Sequence, residues 1–201
     1  WLHTLDHAIA FSPAHVSCYQ LTVAGGTPLH EMQGRGEVRM PGEEEGECLF
    51  LATEQCLGNA GYLHYEISNY ARGEKNVSRH NSKYWRHSPY LGLGPSAHSF
   101  REGRRWWNRR SVAGYCSALG EGRAPVIGEE VLTPEQLELE SLCLGLRTTG
   151  GVERALLVST SRRRALLDEL LRANYVKMQG QKVVSTTKGF LVADRLAAAL
   201  S

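Results

Sequence analysis

Apolar residues recur along the first third of the chain with spacings that alternate between helix and strand. The pattern predicts, in order, a helix from Leu2 to Ile9, a strand from His15 to Val23, an irregular loop over 29–42, a helix from Glu43 to Ala60 and a strand from Tyr62 to Ile67. The order strand, helix, strand is typical of a parallel crossover, so we expect one such unit here.

The remainder of the chain predicts a hairpin and a helical end. The elements are a hairpin of Tyr90–Phe100 with Arg104–Arg109, a helix over Val112–Leu119, a helix from Thr133 to about Arg147, helices at about 152–158 and 161–173, strands at Tyr175–Gln179 and Lys182–Ser185, and a last helix from about Thr187. Two helices, two short strands around Gly180 and a further helix resemble a winged helix.

The predicted sheet is incomplete. Only two parallel strands are expected, whereas parallel strands normally lie inside larger sheets that are covered on both faces. We therefore predict an α/β fold in which this chain is the C-terminal part of a larger protein, with missing strands supplied by an N-terminal segment. An open sheet edge of this kind invites self-association.

Composition narrows the class of protein. The 201 residues are 42% hydrophobic and 22% charged, with a net charge of +2, which excludes collagen, coiled coil and wholesale disorder. No apolar run approaches the ~20 residues that span a bilayer. Five cysteines, an odd number without C-x-x-C spacing, favour free thiols and a cytoplasmic location, and they argue against a zinc or iron–sulfur site built from this chain alone.

The densest group of chemically capable side chains lies between Tyr65 and His98. Imidazole can bind a metal or move a proton, and Tyr and Trp can stack on a flat ligand. The same aromatic residues could equally form a core, so a site and a scaffold remain alternatives here. Gly92-x-Gly94-x-x-Ala97 is not interpreted as a dinucleotide-binding fingerprint, because no helix follows it and no acidic residue stands at the required offset.

Positive charge is concentrated in two places. Arginines surround Trp106 and Trp107 and could bind propionates, phosphates or nucleic acid, or could be solvated charges on an exposed hairpin. The last fifty residues carry nine Lys or Arg against four Asp or Glu, which a winged-helix nucleic-acid-binding module would also show. Because a fold does not fix a function, we regard nucleic acid as the less favoured partner.

Several motifs together resemble one protein family. They are Pro13-x-His15-Val16-Ser17-x-Tyr19-Gln20-Leu21, Gly26-Thr27-Pro28, Gly61-Tyr62, Tyr65-Glu66-Ile67-Ser68-Asn69-Tyr70-Ala71, His80-Asn81-x-x-Tyr84-Trp85, Tyr90-x-Gly92-x-Gly94-x-x-Ala97-His98-Ser99 and Leu144-Gly145-Leu146-Arg147. In this order they resemble the oxygen-independent coproporphyrinogen III oxidase-like radical-SAM proteins. The resemblance is greater to the haem chaperone branch than to the true oxidases.

This resemblance implies a partial (β/α) barrel whose C-x-x-x-C-x-x-C motif holds a 4Fe-4S cluster and S-adenosylmethionine. That motif is absent from this sequence, which implies that the cluster is bound upstream and that this part alone is inactive as an enzyme. The expected fold is the C-terminal portion of the barrel with its connecting layer, over 1–110, followed by a small helical, winged-helix-like domain over 111–201.

The resemblance also implies a haem or porphyrin site. Its core is expected at His80, Asn81, Tyr84 and Trp85, with His80 as the axial iron ligand or hydrogen-bond partner and the two larger rings as the stacking surface. Supporting residues are expected at Tyr19, Gln20, Tyr65, Glu66, Asn69 and His98, with propionate partners at Arg101, Arg104 and Arg105. The implied function is haem binding and delivery to respiratory proteins, and the alternative is oxidative decarboxylation of coproporphyrinogen III.

Overall fold

The structure, a computed structural model, describes residues 1–200. Its helices are α1 (Leu2–Ala10), α2 (Pro28–Gly34), α3 (Glu43–Asn59), α4 (Arg79–Trp85), α5 (Val112–Gly120), α6 (Pro134–Leu146), α7 (Arg154–Leu157), α8 (Ser161–Arg172), α9 (Thr187–Phe190) and α10 (Ala193–Leu200). Its strands are β1 (His15–Ser17), β2 (Leu63–Glu66), β3 (Asn69–Ala71), β4 (His98–Arg101), β5 (Arg104–Asn108), β6 (Val126–Val131), β7 (Val152–Glu153), β8 (Val176–Gln179) and β9 (Lys182–Ser185). The strands form three sheets of three strands each.

The first sheet has the order β1-β3-β2, and both outer strands pair antiparallel with β3. β1 and β2 therefore run in the same direction within one sheet and are connected through α2 and α3, as a parallel crossover requires, but β3, which was not predicted, lies between them. The chain reverses direction after Glu66 and forms β3 between the two strands. Ala71 of β3 lies opposite both His15 of β1 and Leu63 of β2. β1 forms one edge of this sheet, and self-association there stays a prediction.

Two local expectations near the first sheet also need correction. The strand predicted over His15–Val23 ends at Ser17, beyond which the Cys18 amide donates to the Ser68 carbonyl (2.8 Å) rather than extending a ladder. The loop predicted over 29–42 contains α2. The Thr27 hydroxyl caps this helix by accepting from the His30 amide (3.3 Å), and Pro28 occupies the first turn, where its missing amide costs nothing.

The second sheet has the order β4-β5-β6 and contains the predicted hairpin. The hairpin turns at Glu102 and Gly103, which both adopt positive φ (53° and 77°). β6 was not predicted, and it pairs with β5 across the proposed division between 1–110 and 111–201. That division stays a prediction.

The C-terminal part forms a winged-helix-like unit, as expected, but β7 occupies the first two residues of the helix that was predicted over about 152–158. β7, β9 and β8 form the third sheet, with α8 before the β8–β9 hairpin and α10 after it. A capping box fixes the start of α6: Thr133 accepts from the Gln136 amide, and the Gln136 side chain accepts from the Thr133 amide. The apolar core of this unit is a set of fully or nearly buried residues: Leu142, Leu146, Val152, Leu157, Leu167, Leu170, Val176, Val183, Leu196, Ala197 and Leu200.

The end of α6 joins this unit to the first sheet. The Ile67 amide donates to the Arg147 carbonyl (3.1 Å), and the Thr149 amide donates to the Tyr65 carbonyl (3.0 Å). Beside them the His64 ring stacks on Tyr70 (centroids 4.3 Å apart) and contacts Phe190 of α9 edge-on (5.1 Å). Burial lowers the pKa of His64, so this joint holds the ring neutral.

All five cysteines are free thiols, and Cys48 and Cys116 are exposed. Among residues 1–200, no helix has the length and apolar character needed to cross a membrane.

Candidate functional site

α4 places the His-Asn-x-x-Tyr-Trp motif on one short helix. The sequence analysis predicted no helix here, although Ser78 provides its start signal by accepting from the Asn81 amide (3.2 Å). Residues four apart on a helix are neighbours, whereas adjacent residues point about 100° apart. The helix therefore brings His80 next to Tyr84 and directs Trp85 to another side.

His80, Tyr84 and Tyr90 form a continuous series of edge-to-face contacts, which we call the aromatic row. The rings of His80 and Tyr84 lie 5.0 Å apart at 77°, and those of Tyr84 and Tyr90 lie 4.5 Å apart at 68°. His80 is exposed, and Tyr84 is 37% exposed. The aromatic row therefore offers an imidazole and a phenol ring to a flat ligand that arrives from solvent.

Tyr90 is held in place by β4. Its amide and carbonyl exchange hydrogen bonds with those of Phe100 in β4 (both 2.9 Å), and the two rings stack 6.2 Å apart. Burial raises the pKa of the Tyr90 phenol, so this ring stays neutral. The second sheet thus positions the inner end of the aromatic row.

Trp85 faces the first sheet instead. It is half-buried, with its ring 5.9 Å from that of Tyr65. The Tyr65 hydroxyl lies 2.7 Å from Nε2 of His15 and accepts from the Ser78 amide (3.2 Å). Burial raises the pKa of Tyr65 and lowers that of His15. These contacts hold the start of α4 on the sheet, so Trp85 serves as an anchor in this arrangement.

Glu66 at the end of β2 and Asn69 at the start of β3 form a buried polar cluster in the first sheet. Glu66 is 4% exposed, and its Oε2 accepts from the Ser68 amide (2.9 Å) and from the Asn69 side chain (2.6 Å). Asn69 in turn accepts from the Ser17 hydroxyl (2.7 Å). Arg147 at the end of α6 lies 3.7 Å from Oε1 of Glu66. The cluster joins the first sheet to the C-terminal unit.

The remaining polar candidates lie on other elements. Gln20 donates to the Gly46 carbonyl in α3 (3.1 Å), and Tyr19 is 69% exposed. His98 is exposed on β4, where its ring stacks on Trp107 (5.7 Å). Gln20 therefore contacts α3, His98 contacts β5, and Tyr19 is exposed to solvent, so none of the three lies in the aromatic row.

The arginines expected to bind propionates are already paired with carboxylates. Arg105 contacts Glu130 (3.0 Å) and both oxygens of Glu140 (2.8 and 3.0 Å). Arg104 pairs with Glu129 across the β5–β6 ladder, and Arg101 pairs with its neighbour Glu102 (3.3 Å). A ligand carboxylate would have to displace these partners.

Known proteins related to this chain include haem chaperones, although no protein-family model matches it. The heme chaperone HemW of Synechocystis sp. is 41% identical over 165 residues, which cover 80% of this chain and 39% of that protein. HemW of Mycobacterium tuberculosis (strain H37Rv) is 33% identical over 195 residues, covering 96% of this chain and 49% of that protein. The solved structure of coproporphyrinogen III oxidase (HemN) from Escherichia coli, a radical SAM enzyme, superposes with a TM-score of 0.68 at 15% identity, covering 98% of this chain and 50% of that chain.

The chain belongs to the HemN/HemW-like radical-SAM family. The resemblance inferred from the motifs is thereby confirmed, and so is the α/β fold that forms the C-terminal portion of the radical-SAM architecture. The chain spans about half the length, or less, of the curated relatives it matches.

The family implies S-adenosylmethionine and a 4Fe-4S cluster in the full-length protein. Within residues 1–200, no three Cys, His, Asp or Glu side chains converge in a way that could hold a metal ion. Cys48 and Cys116 are exposed on α3 and α5, while Cys18, Cys56 and Cys143 are partly buried. These thiols do not fit a three-thiolate cluster site.

Sequence reasoning assigned no supporting role to His15, Ser78 and Arg147, although His15 and Arg147 belong to the motifs that resemble the family. His15 and Ser78 both bond to the Tyr65 hydroxyl, and Arg147 reaches Glu66. A serine directly before a basic, helix-compatible segment is a cap signal that could have revealed α4. The contacts of His15 and Arg147 are long-range, so no local pattern could have indicated them.

Proposed function

We propose that this chain supplies the haem-binding surface of a HemW-like haem chaperone, and that α4 carries the site. The observation that carries the proposal is the exposed aromatic row, which presents His80 and Tyr84 of the motif together. The two HemW relatives, which cover 80% and 96% of the chain, support haem as the cargo. The likeness to HemN, at 15% identity, concerns the fold alone, so it does not support a decarboxylase activity for this chain.

The proposed division of labour follows the helical geometry. Imidazole is the commonest protein metal ligand, and the exposed ring of His80 can approach haem iron axially. Tyr84 and Tyr90 would contact the porphyrin, and Asn81 would offer its amide beside them. Trp85 and Tyr65 would act indirectly by holding α4 on the first sheet. Haem on an open surface remains accessible to a receiving protein, which suits delivery.

The proposal extends to the parent protein and its partners. Haem-receiving respiratory proteins would take the cargo, and the radical-SAM cluster with S-adenosylmethionine would lie in the remainder of the parent. We propose the cytoplasm as the location, on the support of five free thiols. In this account the described part of the chain binds cargo and contributes no cluster ligand.

Haem titration of the full chain, followed by absorbance, tests the site. We expect a saturable Soret shift whose apparent affinity falls about tenfold or more, equivalent to ~1.4 kcal/mol, in His80→Ala, because the iron would lose its axial ligand. Tyr84→Ala should also weaken binding, by loss of ring contact. His30→Ala, which removes an exposed imidazole from α2, is the matched control and should titrate like the unaltered chain.

Unchanged affinity and spectrum in His80→Ala would refute the ligand role. Equal losses in His80→Ala and His30→Ala would indicate unspecific adsorption of haem to surface histidines, and the proposed site would then be wrong.

A further inference from the structure

Three basic residues follow one face of α4 and its C-terminal cap: Arg79 and Lys83 lie in the helix, and Arg86 directly follows its last residue. Arg79, Lys83 and Arg86 are separated by four and three positions, a spacing that places side chains in one line on a helix. All three are exposed. We call this line the basic stripe. It is one residue out of step with His80 and Tyr84, so it runs about 100° around the helix from the aromatic row, alongside it.

The basic stripe has no acidic partner within residues 1–200, where none of its three side chains makes an ion pair. The arginines of the second sheet differ in this respect. Arg101, Arg104 and Arg105 each contact at least one glutamate. An incoming anion can therefore bind the stripe without displacing a carboxylate, whereas at the second sheet it must compete with one.

Like charges held together without a counter-charge repel one another mildly, at a cost comparable to the gain from an exposed pair of opposite charges. An anionic ligand relieves this repulsion and gains charge-assisted hydrogen bonds at the same time. An arginine at each end of the stripe can bind a carboxylate with two parallel N–H···O bonds, while Lys83 between them acts as a point charge. The stripe thus fits a ligand with two carboxylates along one edge.

We infer that Arg79, Lys83 and Arg86 anchor the carboxylates of a dianionic tetrapyrrole whose flat face rests on His80 and Tyr84. This inference rests on the proposed function, since it names the anchor of the same ligand. It moves the propionate partners from the arginines of the second sheet, where the sequence analysis expected them, to α4 and its C-terminal cap. A single helix then supplies the axial ligand, the ring contact and the anionic anchor.

Esterification of the ligand provides the test, because it removes both negative charges and keeps the flat ring and the iron. Hemin and hemin dimethyl ester are titrated into the full chain in the same mild detergent. We expect the unaltered chain to bind hemin about tenfold more tightly than the ester, and this preference to fall as ionic strength rises. The variant Arg79→Gln/Lys83→Gln/Arg86→Gln should lose the preference by weakening hemin binding alone.

A matched variant controls for net charge. Arg35→Gln/Arg39→Gln/Arg123→Gln also removes three exposed cations, but these are paired with Glu37, Glu45 and Glu121, so the preference for hemin should remain. Circular dichroism of each variant verifies the fold. If the control variant lost the preference as the stripe variant does, overall charge and not the stripe would explain it, and the inference would be overturned.

The outcomes separate the inference from the proposed function. Saturable binding with equal affinity for hemin and its ester overturns the anchor and leaves the aromatic row intact. A preference that is abolished by Arg101→Gln/Arg104→Gln and retained in the stripe variant places the anchor on the second sheet and also overturns it. Failure of the unaltered chain to bind either compound contradicts the proposed function itself.

Discussion

Replacement of Glu66 by alanine is expected to destabilise the folded chain by about 3 kcal/mol. The buried carboxylate accepts from the Ser68 amide and the Asn69 side chain, and Arg147 lies 3.7 Å from its other oxygen. Removal leaves two donors without an acceptor and takes one of two carboxylates from Arg147, whose guanidinium still pairs with Asp194 (2.8 Å). For a chain of this size, such a loss should lower the melting temperature by about 6 to 12 °C.

Urea unfolding followed by circular dichroism measures the effect of the Glu66 substitution. The free energy of unfolding of Glu66→Gln should lie between those of Glu66→Ala and the unaltered chain, because its amide oxygen still accepts one of the hydrogen bonds. Glu129→Ala, which breaks the exposed pair with Arg104, is the control and should change the free energy of unfolding by less than about 0.5 kcal/mol. If Glu66→Ala were as stable as the control, the buried cluster would not join the two parts of the fold.

Replacement of Gly92 by alanine should also be costly, at about 2 to 3 kcal/mol. A Cβ at this position would overlap the carbonyl oxygen of His98 and lie 2.8 Å from its carbonyl carbon. The Gly92 amide also donates to the Ser99 hydroxyl (2.9 Å), so the loop cannot move away without losing a buried contact. The strain acts next to the Tyr90–Phe100 pair that positions the aromatic row.

Thermal unfolding and amide exchange at Tyr90 and Phe100 report on the Gly92 substitution. We expect a lower melting temperature and faster exchange of both amides, because the clash pushes the loop off β4. Gly120→Ala is the control: nothing lies within 4 Å of its Cβ, so the loop should not respond. Slow exchange and an unchanged melting temperature in Gly92→Ala would show that the close approach is not required.

Elements with strong local patterns were predicted well. The acidic first turn and apolar stripe of α3, the capping box of α6 and the turn of the β4–β5 hairpin all have local causes, and all three elements are present. β3 is three residues long and fully buried, and it carries no alternation that separates it from a loop. Because β3 was not predicted, the sequence analysis placed no strand between β1 and β2.

The candidate site was predicted from family-like motifs and not from geometry. The motif residues were identified, but without α4 the different directions of Tyr84 and Trp85 could not be foreseen. The ion pairs of Arg104 with Glu129 and of Arg105 with Glu130 could not be predicted either, because both glutamates lie on β6, a strand that was not predicted. The directions of the two rings follow from the local helix, whose cap signal was missed, whereas long-range register decides the arginine pairs and is not encoded locally in a single sequence.

Hydrogen exchange of the full chain with and without haem tests most directly whether α4 is the binding surface. The account predicts that saturating haem slows exchange over residues 79–90 and leaves residues 161–172 of the winged-helix-like unit unchanged. It predicts further that His80→Ala removes the protection. Protection confined to 161–172, or haem binding with no protection over 79–90, would contradict it.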